Sequence, residues 1–200
     1  MDAIILASSS PRRRELLTQA GIPFTVMPGD VDEGSVKLYG TPSQKAEQLA
    51  RMKAEDVAKK VGKGIVLGAD TIVVCDDEIF GKPADEEHAR RMLENLSGRI
   101  HLVITGVALV NAETGETKSG HEITKVSFAE LTKDEIEAYL KTGEHLGKAG
   151  AYGIQGKAAL FVKSLNGCYS NVVGLPLQRL YRMLAQLGIN AAEWNFQKEE

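Results

Sequence analysis

The sequence predicts an α/β protein with a mixed, twisted sheet and flanking helices. Three observations predict it. Short apolar runs alternate with amphipathic helical segments through the first half of the chain. Two long strand-like segments then meet around Glu113-Thr-Gly115 as an antiparallel hairpin, which an all-parallel sheet would not contain. Finally, 200 residues with 43% hydrophobic and 26% charged content are enough for a real core, and no linker-like stretch divides them.

Each element has its own signal. Residues 2–7 are a short apolar run, expected as a buried strand. Pro11 then opens a helix, with Ser10 as N-cap and Gly21 just past the end. A second strand is expected at 24–27, before the loop 28–34. Thr41-Pro-Ser-Gln44 has the form of a capping box and starts a helix running to about Val61, where Gly62 ends it. Residues 65–74 read as a strand, and Asp76-Asp77 as a tight turn into Glu78-Ile-Phe80. Ala89, Met92, Leu93 and Leu96 recur at helical spacing before a stop at Ser97-Gly98. The hairpin strands are expected at 101–110 and 117–128. Thr132-Lys-Asp-Glu135 is a second capping box, for a helix to about Thr142. A glycine-rich stretch at 147–156 precedes an expected strand at 159–163 and a loop through Asn166-Gly167. Pro176 opens the last helix, whose stripe is Leu177, Leu180, Leu184 and Leu187. Residues 1–190 read as a single domain and 191–200 as a loosely ordered tail.

Composition excludes several classes. Lys plus Arg (24) against Asp plus Glu (27) gives a net charge of −3, so a general nucleic-acid binder is not expected. No apolar run approaches the roughly 20 residues that span a bilayer. The first residues carry no basic segment or cleavage site, so no signal peptide, no membrane partner and a cytoplasmic location are expected. Cys75 and Cys168 have no CxxC or Cys/His ligand spacing and are expected as buried thiols.

Four features could carry chemistry. Ser8-Ser-Ser-Pro-Arg-Arg-Arg14 puts three arginines in the first turn of a helix, where the macrodipole favours anions by ~0.3–1 kcal/mol. Either an anion such as phosphate relieves that conflict, or the arginines pair with surface carboxylates. Asp70 lies inside the apolar run 65–74 and is costly to bury unless a metal, a cation or several donors meet it; the alternative is a bulge or turn-capping role. Lys53 lies beside the apolar stripe of its helix and is expected to snorkel to water, while Lys82, between Gly81 and Pro83, has its head aimed by a rigid loop. Glu33 is either an exposed loop acid or a second oxygen ligand for a divalent cation. Lys148-Ala-Gly-Ala-Tyr-Gly-Ile-Gln-Gly156 is neither a dinucleotide fingerprint nor a Walker loop, and alone reads as a structural turn. His88, His101, His121 and His145 are isolated and receive no role. An array of cations with two acids suits phosphate-ester or phosphoanhydride chemistry with a metal.

Six segments in order resemble the Maf family of nucleoside triphosphate pyrophosphatases, formerly described as septum-formation inhibitors. They are Ile5-Leu-Ala-Ser-Ser-Ser-Pro-Arg-Arg13, Gly68-Ala-Asp-Thr71, Gly81-Lys-Pro83, Ser97-Gly-Arg99 with Thr105-Gly106, residues 148–156, and Asn171-Val-Val-Gly-Leu-Pro176. The resemblance implies two lobes around a cleft, similar to inosine triphosphate pyrophosphatases. It also implies hydrolysis of a nucleoside triphosphate to monophosphate and pyrophosphate with a divalent metal, magnesium or manganese. Carried over residue by residue, Asp70 is the proton acceptor and, with Glu33, the metal ligand. Ser8, Arg12, Arg13, Lys53 and Lys82 line the phosphate path. Arg12, Thr71 and Gln155 match the branch acting on dTTP and UTP, with a house-cleaning role and a link to cell-division arrest. Homodimerisation is a family-level expectation. The competing readings are a pyrophosphatase for modified or purine nucleotides and a non-catalytic regulator of septum formation, for which Trp194 with Phe196 is the candidate contact.

Overall fold

Seven strands form one mixed sheet in the order Phe24–Val26, Ile4–Leu6, Ile65–Cys75, Ile100–Asn111, Thr117–Phe128 and Val162–Asn166, with Glu78–Phe80 added to Ile65–Cys75. The computed structural model describes residues 3–191 and 194; the rest of the expected tail, Phe196 included, lies outside the described residues. The chain runs β1 (Ile4–Leu6), α1 (Pro11–Gln19), β2 (Phe24–Val26), α2 (Pro42–Val61), β3 (Ile65–Cys75), β4 (Glu78–Phe80) and α3 (Glu86–Leu96). It continues with β5 (Ile100–Asn111), β6 (Thr117–Phe128), α4 (Lys133–Leu140), β7 (Val162–Asn166), α5 (Tyr169–Val173) and α6 (Leu177–Gln186). β1 is parallel to β2, with Ile4 opposite Phe24, and parallel to β3, with Ile5 opposite Val66. β4 returns antiparallel on β3, and β7 antiparallel on β6. The mixed α/β class is the one the sequence predicts.

Local chemistry explains most boundaries. Thr41 and Gln44 close the capping box at the start of α2, and Gly62 ends that helix in the left-handed region at φ 68°. Thr132 and Glu135 do the same for α4. Asp76 (φ 48°) and Asp77 (φ 65°) are consecutive left-handed residues, the geometry of a two-residue hairpin turn between β3 and β4. The residues spaced as a helical stripe, Ala89, Met92, Leu93 and Leu96, are the ones α3 buries.

The chain divides into two compact units. The first comprises residues 1–70, 105–122 and 174–200; the second comprises 71–104 and 123–173. In the first, α2 packs Ala50, Ala54 and Val57 with Ala7, just past β1, and with Val66, Ala108 and Val110 of the strands. In the second, the α3 stripe meets Phe80, Val103, Phe128, Tyr139 and Phe161.

Two expectations need correction, for the strand near 159–163 and for Cys168, and two details add to the rest. Residues 157–161 form a 3-10 turn, and the strand begins only at Val162. Ala158 and Phe161, three apart, are buried while Leu160 is 86% exposed, a period that suits three residues per turn and not a strand. A short helix, α5, occupies 169–173 and takes in the start of the segment 171–176; its buried Asn171 donates to the carbonyl of Val103 at 2.9 Å. Ser10 stands at the N-cap of α1, but its side chain makes no capping bond. Both cysteines are free, and Cys75 is buried as expected, but Cys168 is partly exposed.

Candidate active site

The site begins with an unusually close approach of helix to sheet. Ala46, Ala50 and Ala54 of α2 are fully buried. A Cβ at Gly68 of β3 would overlap the Ala50 carbonyl, and one at Gly106 of β5 would overlap that of Ala46. Both positions therefore need glycine for the helix backbone to lie against the strands. Asp70 is two residues beyond Gly68, so it faces the same side of β3 as the helix.

That geometry decides the fate of Lys53. Its Nζ donates to Asp70 Oδ1 at 2.6 Å and pairs with Glu33 Oε1 at 2.8 Å. The Lys53 and Asp70 side chains are only 14% and 10% exposed. The expectation that Lys53 snorkels to water is overturned, because two carboxylates hold its ammonium inside. Asp70 is met by a cation, as its burial requires. It lies within β3, so it does not cap a turn.

Glu33 reaches this point because its loop is tied to α2 on both sides. The backbone N–H of Asp30 donates to Asp56 Oδ2 at 2.9 Å, and Lys60 bridges Asp30 and Asp56 at 2.7 and 2.9 Å. The Lys60 ammonium holds the Asp56 carboxyl below its ordinary range, and the two carboxylates push Lys60 up. Farther along, Gln48 Nε2 donates to the Tyr39 carbonyl at 2.7 Å.

The first turn of α1 contains no acid. Arg13 Nε donates to the Gly174 carbonyl at 2.9 Å, and its Nη1 donates to Ser8 Oγ at 3.0 Å. Ser8 Oγ also accepts from the Ser10 N–H at 3.2 Å. Burial pulls the Arg13 guanidinium below the usual arginine range; Asp70 and Glu33 oppose the change and Arg12 adds to it. Arginine remains protonated under these conditions. The carbonyl and hydroxyl orient the guanidinium.

Ser8, Arg13, Glu33, Lys53 and Asp70 are thus gathered within the first unit, where Arg12 also lies. Thr71, Lys82 and Gln155 belong to the second. Thr71 is half-buried on β3, while Lys82 and Gln155 are exposed and their side chains have no hydrogen-bonding partner among the described residues. The Gly81 carbonyl beside Lys82 accepts from the Gly150 N–H at 3.1 Å, joining its loop to the glycine-rich segment. Sequence reasoning missed Gly174 as the acceptor that orients Arg13. Its signal was the Asn171-Val-Val-Gly-Leu-Pro176 motif, noted without a chemical role.

The family model described as Maf-like protein matches residues 3–187. A dTTP/UTP pyrophosphatase of Ruminiclostridium cellulolyticum is 56% identical over 94% of this chain and 97% of its own length. The protein of that name from Symbiobacterium thermophilum is 54% identical over 94% and 95%, and that of Bacillus cereus 48% over 95% and 98%. Among solved structures, a HAM1 protein from Coxiella burnetii superposes with a TM-score of 0.53 at 18% identity. That likeness covers 93% of this chain and 100% of the other, and it is one of fold.

Proposed function

The chain belongs to the Maf-like family, and from that premise we propose that it hydrolyses dTTP and UTP to the monophosphate and pyrophosphate. The observation that carries the chemistry is the buried Lys53 ammonium held between Asp70 and Glu33. The names of relatives sharing about half their sequence with it support the substrate class. Removal of unwanted nucleotides is the cellular role that fits this activity.

Asp70 commits Oδ1 to Lys53. On this reading Oδ2 takes a proton from water as the water oxygen bonds to the α-phosphorus. The bond from that phosphorus to the α,β-bridging oxygen breaks, and its electrons leave with pyrophosphate. Arg12, Arg13, Ser8 and Lys53 bind the phosphates at the start of α1 and offset the charge that grows on the leaving group. Lys82 is a further phosphate contact, and Thr71 and Gln155 read the base together with Arg12. An amide accepts from the N3–H of uracil or thymine and donates to a neighbouring carbonyl, a pattern cytosine does not match.

A divalent cation fits this set. Glu33 and Asp70 already converge on one positive charge, and no group of three or more His, Cys, Asp or Glu is gathered for a metal among the described residues. Magnesium and manganese accept one or two carboxylates when phosphate and water supply the remaining oxygens. Glu33 and Asp70 would hold the ion, which when bound neutralises phosphate charge and acidifies water.

Pyrophosphate release from UTP, dTTP, CTP and GTP tests the proposal, with Asp70→Asn as the matched variant. UTP and dTTP are expected to lead in kcat/KM, and the variant to keep its circular dichroism while losing ~10²–10⁴-fold in kcat. Release of orthophosphate, or a variant with more than about a tenth of the wild-type rate, overturns it.

A further inference from the structure

Gln155 stands on a segment that its own side chain does not hold. Residues 153–156 are at least partly exposed, and the nearest buried side chain is Tyr152. Immediately before it, Gly150 (φ 67°) and Ala151 (φ 61°) are both left-handed. For alanine that conformation costs roughly 1–2 kcal/mol, so the surrounding contacts must enforce it.

What lies under Tyr152 is polar. Its hydroxyl is 2.7 Å from His101 Nε2 on β5, and both residues are buried. The His101 ring stands edge-on to Phe128 at 4.9 Å and to Tyr152 at 5.4 Å, and Phe128 meets Tyr152 at 4.8 Å. His101 Nδ1 is buried without a hydrogen-bond partner among the described residues. An orphaned polar atom costs ~1–3 kcal/mol, which an apolar pair in the same place would not incur. The compensating gain is orientation: a hydrogen bond fixes the phenol's direction, whereas apolar packing leaves it free to slide.

Other bonds hold the ends of the segment. Lys148 Nζ donates to the Glu144 carbonyl, and the Lys157 N–H donates to Glu144 Oε2 at 2.8 Å. Between those ends, the Tyr152 side chain joins the segment to the sheet.

We propose that His101 and Tyr152 are a positioning pair that fixes the glycine-rich segment 148–156 and, through it, the base discrimination of Gln155. The second half of this inference rests on the reading of Gln155 given above; the first half does not.

Tyr152→Phe removes the hydroxyl and keeps the ring. Hydrogen–deuterium exchange should then quicken by about tenfold over 148–157, the loss expected for one buried hydrogen bond, with the β5 amides unchanged. The UTP-to-CTP ratio in kcat/KM should fall at least about fivefold, chiefly through a higher KM for UTP. His101→Gln, which can still bond the phenol, should lie nearer the wild type than His101→Leu. Unchanged exchange in Tyr152→Phe overturns the positioning role. Faster exchange with an unchanged substrate ratio overturns the link to specificity, since a merely structural role would lower stability and spare the ratio. A wild-type enzyme without preference for UTP or dTTP overturns the base-reading assignment, and exchange still decides the positioning role.

Discussion

Acidification should unfold this protein partly through His101, and the size of the effect follows from its burial. The imidazole's pKa, ordinarily 6.5, is lowered to about 4 by desolvation. The folded state therefore resists protonation while the unfolded chain accepts a proton below pH 6.5, so the unfolded state binds more protons in that window. Stability from this group is fully present above 6.5 and declines as pH falls toward 4. The gap is worth ~3 kcal/mol, a large share of the roughly 5–15 kcal/mol that holds a typical domain. Carboxylates titrate in the same range, so the measurement must be differential. Urea unfolding of the wild type and His101→Gln at pH 7.5, 6, 5 and 4 isolates the histidine. The variant should start lower at pH 7.5, having lost the ring contacts with Phe128 and Tyr152, but its decline to pH 4 should be shallower by ~3 kcal/mol. Parallel declines would refute the reasoning and show that His101 is protonated in the folded protein at moderate pH.

Two further outcomes follow from the candidate site. Helix-dipole reasoning alone expects Arg13→Ala to stabilise the ligand-free protein by ~0.3–1 kcal/mol. The bonds to Gly174 and Ser8 reverse that sign: thermal melts should show a loss of ~1–2 kcal/mol, and nucleotide protection against melting should shrink. Lys53→Met removes the ammonium between two carboxylates, and should lower kcat/KM at least ~100-fold in the pyrophosphate assay with a clear fall in melting temperature.

Much of this molecule was legible because its signals are local. Capping boxes at Thr41 and Thr132 and the stripe of α3 depend only on neighbours a few residues away, and each appears where its pattern predicts. Asp70 stood out because a carboxylate in an apolar run needs a partner. The identity of that partner was not legible, since Lys53 lies seventeen residues earlier on a helix edge where lysine ordinarily reaches water. Gly68 and Gly106 were visible only within motifs; that they admit the α2 backbone is a tertiary fact. The strand expected at 159–163 failed because a three-residue period over so short a stretch resembles an apolar run.

The charge arrangement also constrains how a triphosphate could be received. Desolvating a carboxylate and an ammonium costs several kcal/mol for each ion, and the short bonds from Lys53 to Asp70 and Glu33 offset that cost in the ligand-free protein. The same bonds satisfy Lys53, so a tetra-anionic substrate arriving beside it meets two carboxylates whose repulsion the one ammonium already counters. Arg13 is oriented by the Gly174 carbonyl and the Ser8 hydroxyl; Lys53 can offer its charge to phosphate only if Glu33 and Asp70 acquire another positive partner. On the proposed reading, a divalent cation would supply that partner. A Glu33→Gln variant, which removes one of the two repelling charges, should accordingly bind nucleotide in metal-free buffer more tightly than the wild type while turning it over more slowly when metal is supplied. Equilibrium dialysis with UTP in chelator measures the first effect, and weaker metal-free binding by the variant would show that the carboxylates do not set the barrier to substrate entry.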